Sequence, residues 1–132
     1  MKKPLLTLLT CIVFSCLCIS CEKEENFGFP SKIEISDKGG TIELESSNDL
    51  TPTIKQIELL DYNGEGNSSP LYIENPECIE VTTEWLNVKY YSIANKLVLT
   101  AEPNLTDQKR ILYLYLYSGN AEQEIRVTQF TQ

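Results

Sequence analysis

From residue 32 onward the chain is built of short runs in which apolar and polar side chains alternate. Over 32–36, Ile33 and Ile35 share one side while Lys32 and Glu34 take the other. After a turn at Asp37, Lys38, Gly39 and Gly40, the stretch 41–46 repeats the pattern, with Ile42 and Leu44 set against Glu43 and Glu45. A period of two is the mark of a strand with one buried face. The pair is therefore expected as a hairpin or as a corner between two sheets. The stretch 53–62 holds Ile54, Ile57, Leu59 and Leu60 with a blurred period, between Pro52 and Gly64. Further strands are predicted over 78–83, 85–91 and 96–101, the last alternating through Leu97, Leu99 and Ala101. Strands over 110–117 and 122–130 finish the chain around the turn Ser118, Gly119, Asn120. No window sustains the 3.6-residue apolar period of a globular helix. The pattern predicts an all-β fold, an Ig-like β-sandwich of about seven strands.

The first 20 residues follow a different rule. Lys2 and Lys3 precede an apolar run from Leu5 to Ile19, 15 residues long. As a helix it would span roughly 22 Å, short of the ~30 Å hydrocarbon core of a bilayer. It reads as an export signal occupying 1–20. Ser20 stands just before Cys21, which resembles a bacterial lipobox, where cleavage precedes a cysteine that then carries lipid. Cys16, after Ser15, is a rival site, but a cut there would leave apolar residues next to it. Glu22, Lys23, Glu24 and Glu25 follow Cys21; they serve as a solvated tether and also resemble the export signal of surface lipoproteins in the Bacteroidetes. On this reading 21–31 is an acidic tether, and 32–132 is the folded domain. The chain is expected to attach to the outer membrane through its lipid, facing the cell exterior, with the periplasmic face as the alternative.

Charge and cysteine content then narrow the chemistry. The 132-residue chain carries 19 Asp and Glu against 11 Lys and Arg, a net charge of −8 that becomes −10 once Lys2 and Lys3 leave with the signal. Such a balance opposes nucleic-acid binding, which draws on Lys and Arg to displace counterions. The absence of histidine removes the Ser-His-Asp and Cys-His mechanisms, His-ligated zinc and the commonest neutral-pH general base. No pattern sets two carboxylates across a cleft as a glycosidase requires. An enzyme is not expected, nor is a cofactor. Cys11, Cys16 and Cys18 depart with the signal and Cys21 is acylated, which leaves Cys78 alone and predicts no disulfide. Without a histidine to activate it, Cys78 is expected as a small buried hydrophobe. Asp61, Asn63 and Glu65 with Gly66 in sixth place resemble the start of a calcium loop, but Tyr72 stands where the bidentate Glu belongs. An ordinary Asn-Gly turn is expected there, with no metal.

Several residues in order carry a family likeness: Gly39, Gly40, Thr41 and Ile42; Trp85 and Leu86 before Val88; Leu97 to Ala101; Asn104; Arg110; and Ile125, Arg126, Val127, Thr128 and Gln129. Over roughly 32–130 the chain resembles a BACON domain, the Bacteroidetes-associated carbohydrate-binding module often found N-terminal to glycosidases. The stretch 50–80 is longer than the family pattern. The resemblance implies an Ig-like sandwich and carbohydrate contact. Within it, Trp85 is expected to plug one end of the sandwich, Asn104 to fix the turn before Arg110, and Arg110 to open a strand.

If Leu112, Leu114 and Leu116 face inward, Tyr113, Tyr115 and Tyr117 line the opposite face, flanked by Glu124, Arg126 and Thr128 on the final strand. Flat aromatic faces stack on sugar rings and the phenol adds a hydrogen-bonding handle. Ordinary cross-strand packing accounts for the same pattern, and both readings stand. Tyr113, Tyr115, Tyr117 and Arg126 are the candidate glycan-binding residues. The sequence predicts a non-catalytic surface lipoprotein that binds glycans or an outer-membrane protein partner. The alternative is a structural spacer or protein adaptor, which fits less well because no catalytic module follows Gln132.

Overall fold

The computed structural model describes residues 27–47, 53–70 and 77–132. The signal segment 1–20, the lipidation site Cys21 and the export-signal residues Glu22, Lys23, Glu24 and Glu25 lie outside them. Among the described residues the fold is all-β: β1 Lys32–Ile35, β2 Gly40–Glu45, β3 Gln56–Leu60, β4 Gly66–Ser68, β5 Cys78–Thr82, β6 Leu86–Tyr91, β7 Lys96–Ala101, β8 Arg110–Ser118 and β9 Ala121–Gln129. They form two sheets, one of five strands ordered β1-β9-β8-β3-β4 and one of four ordered β2-β7-β6-β5. The fold is a β-sandwich.

The alternating runs place the core. Ile33, Ile35, Ile57, Leu59, Leu112, Leu114, Leu116, Ile125 and Val127 of the larger sheet meet Ile79, Val81, Leu86, Val88, Tyr90, Leu97 and Leu99 of the smaller, all buried. β1 and β2 make a corner and not a hairpin. β1 pairs in parallel with β9, whereas β2 pairs antiparallel with β7 in the other sheet. Gly39 permits the corner: its φ is 77°, and a Cβ there would collide with the Ala101 carbonyl.

Two expectations need correction. β4 was not foreseen, because its three exposed polar residues carry no apolar signal and pair with β3 only through the backbone. The tether does not extend to residue 31, because Phe27 and Phe29 are buried in the core at 1% and 0% exposure. The segment they occupy seals the flank between the sheets. Ser46 Oγ donates to the Phe27 carbonyl at 2.6 Å, Ser47 N to the Gly28 carbonyl at 2.9 Å, and Gln123 Nε2 to the Phe29 carbonyl at 2.7 Å. Two aromatic rings anchored this way belong to the folded domain.

Truncating such a ring removes its transfer free energy and leaves a cavity. Phe29→Ala should therefore lower the unfolding free energy by about 3–5 kcal/mol in urea titration. A tether residue would change it by less than about 0.5 kcal/mol, and that result would restore the domain boundary to residue 32.

Candidate functional site

Strand β8 carries core and surface on alternate residues. Its leucines point inward, and Tyr113, Tyr115 and Tyr117 stand half-buried on the outer face of the five-stranded sheet. The register brings Arg126, Glu124 and Glu122 of β9 opposite Tyr113, Tyr115 and Tyr117 in turn. On the other side β3 supplies Leu60, Glu58 and Gln56. Thr128 pairs with Ile111 instead and is nearly buried, so Glu122 takes the flanking place expected for it.

The rings of Tyr115 and Tyr117 lie near-parallel, 18° apart with centroids 6.3 Å from each other. The Tyr117 hydroxyl donates to Glu58 Oε1 at 2.9 Å. Desolvation first, then this bond and the charges of Glu58 and Glu122, push the Tyr117 phenol up to about 12. Tyr115 is raised by desolvation and by Glu124. Tyr115 and Tyr117 are therefore neutral donors at physiological pH, set among carboxylate acceptors. A row of flat rings with hydroxyl donors and carboxylate acceptors beside them can stack on a pyranose ring and bond its hydroxyls.

The other singled-out residues lie elsewhere. Tyr90 is in the core, its hydroxyl donating to Asn95 Oδ1 at 2.8 Å, and Tyr91 lies in the smaller sheet opposite Cys78 and Lys96. Neither joins the tyrosine row. Trp85 is buried at 9% exposure, with the Arg110 guanidinium carbon 5.5 Å from the centre of its ring. Asn104 is fully buried. Its Nδ2 donates to the carbonyls of Gln108 (2.9 Å) and Phe130 (3.1 Å), and its Oδ1 accepts from the Thr106 amide at 3.0 Å, so it organises the loop that leads to Arg110. Asp61 Oδ1 accepts the amides of Asn63 and Glu65, both at 2.8 Å, which caps a tight turn with Gly64 at φ 82°.

Cys78 is a correction: it is free and exposed, not buried. It opens edge strand β5 on the same side as Glu80 and Thr82, while Ile79 and Val81 take the inward positions. Sequence reasoning also missed Glu58 and Glu122. The alternation of Glu58 with Ile57 and Leu59 marked it as outward, but nothing local says that β3 lies beside β8.

The hydrogen bond gives Tyr117 a pH signature. Its folded pKa lies above the unfolded value, so the stability it contributes is complete below about pH 10 and is lost as the pH rises through about 12. In a phenolate absorbance titration, with Tyr117→Phe assigning the transition, Glu58→Gln should lower the Tyr117 midpoint. An unchanged midpoint would mean that Glu58 does not hold the phenol.

No family model matches the chain, and no curated protein matches it. Among solved structures, the chain is similar to an NMR structure of a protein from Bacteroides thetaiotaomicron. The two share 20% identity at a TM-score of 0.51, with 77% of each chain covered. At that identity the likeness extends to the fold alone.

Proposed function

We propose that this chain is a non-catalytic surface lipoprotein of the BACON type that holds neutral glycans on the tyrosine row of its larger sheet. The observation that carries the reading is the row itself: Tyr113, Tyr115 and Tyr117 on an open face, with Glu58, Glu122 and Glu124 beside them. Sugar hydroxyls donate to carboxylates and accept from phenols, and the C–H face of a pyranose covers an aromatic ring. Among the described residues Glu58, Glu122 and Glu124 stand beside the row, against Arg126 and the Lys32 that pairs with it on β1, a negative balance that disfavours sulfated or uronic glycans at this face.

Lipidation at Cys21 fixes the orientation. Phe27 is already part of the fold, so only residues 22–26 separate it from the anchor, a reach of at most about 20 Å. Phe27 lies beside Ser46, at the end of β2 that neighbours the β6–β7 turn. That end stays near the headgroups, while the end carrying Trp85 and Arg110 points outward.

Affinity for an oligosaccharide should be weak, on the order of 10⁻³–10⁻⁵ M. In calorimetric titration with neutral oligosaccharides, the double variant Tyr113→Thr, Tyr115→Thr should lose binding while its unfolding midpoint stays close to wild type, since threonine suits a strand and the leucine core is intact. Equal binding by both proteins would remove the row from the site. A collapse of the fold would make the tyrosines packing residues.

A further inference from the structure

At the sandwich end away from Phe27, three connections meet: the β3–β4 turn, the β5–β6 turn and the loop before β8. The two turns and the first residues of β8 line an open cleft of about 420 Å³, with Asp61, Tyr62, Glu65, Glu84, Trp85 and Arg110 among its walls. A second hollow of about 490 Å³ shares Glu84, Trp85 and Arg110 and continues toward Glu102 and Thr106. Volumes of this size accommodate a small ligand. Arg110 is the common wall.

The guanidinium of Arg110 is poorly used by the protein. One face lies over Trp85, and its hydrogen bond among the described residues runs from Nη1 to Gln129 Oε1 at 3.4 Å. No described carboxylate pairs with it within 4.0 Å; the ion pair among the described residues joins Lys96 and Glu43 at the opposite end of the sandwich. Five N–H donors held on a planar fork therefore have one long bond among them. Tyr62, on the turn capped by Asp61, is 81% exposed at the rim, a large aromatic ring with nothing covering it.

We propose that this cleft is a second binding site, separate from the tyrosine row, for a neutral polyhydroxylated ligand of one or two sugar units. Arg110 donates to adjacent ligand oxygens, Glu65 and Glu84 accept from hydroxyls, and the exposed Tyr62 ring closes over the apolar face. Asp61, Glu65 and Glu84 outnumber Arg110 in the lining, so the net negative cleft disfavours anions, while Arg110 at its centre offsets the pull on a free cation and leaves neutral ligands favoured. The site rests on its own residues, so it stands or falls independently of the tyrosine row.

The test is chemical-shift mapping of the isotope-labelled full-length protein, solubilised in detergent, titrated with lactose, maltose and cellobiose. At least one should shift the Trp85 indole N–H and the amides of Tyr62, Glu84 and Arg110. Tyr62→Ala, at an exposed position, should weaken that response about fivefold, and Arg110→Lys, which keeps the charge but loses the fork, about tenfold. The double tyrosine-row variant should leave it unchanged. Absence of shifts at the cleft with all three sugars, or an unaltered response in Tyr62→Ala, would overturn the site. Tighter binding of galacturonate than of the neutral sugars would overturn its ligand class.

Discussion

The side-chain amide of Gln129, fully buried at the end of β9, joins the places where the chain leaves one sheet for the other. Its Nε2 donates to the Ser36 carbonyl at the β1–β2 corner (3.1 Å) and to the Glu102 carbonyl where β7 gives way to the loop before β8 (2.7 Å). Its Oε1 accepts from Arg110. A carbonyl that leaves a ladder inside the protein loses its partner, and each one stranded costs about 1–3 kcal/mol. A sandwich of short strands has many such places. Gln123 answers the same need at the opposite end by donating to the Phe29 carbonyl, although its own Oε1 stays buried without a partner. Between the two glutamines, Ile125 and Val127 complete an inward row on β9.

This sealing leaves the surface free to carry chemistry. β8 is held by β9 on one side and β3 on the other, so its outward tyrosines stand on a backbone fixed from both edges. Arg110 shares the inward register of Leu112, Leu114 and Leu116 but lies beyond the hydrophobic core, at the mouth where Trp85 ends the packing. One strand therefore supplies core, ring face and cleft wall. Substitution on the face need not disturb the leucines behind it.

Much of this was legible as parity. The alternation in 32–36, 96–101 and 110–117 marked the inward residues of β1, β7 and β8, and the tyrosine row followed from it. Phe27 and Phe29 were hidden because two apolar residues in a polar segment have no period to declare. Cys78 was misjudged by its chemistry when its parity with Glu80 pointed outward. Pairing was the deeper gap. The parallel contact of β1 with β9 and the neighbourhood of β3 and β8 join distant segments, so Glu58 beside Tyr117 had no local signal. The cleft residues come from two separate turns and the start of β8, for the same reason.

The dependence of the fold on Gln129 can be measured directly. Equilibrium unfolding of Gln129→Leu, which keeps the bulk but removes both donated bonds, should show a loss of at least about 1 kcal/mol, because the Glu102 carbonyl loses the side-chain donor and the Ser36 carbonyl keeps only the Gly39 amide. A change below about 0.5 kcal/mol, the range of an ordinary surface substitution, would contradict it.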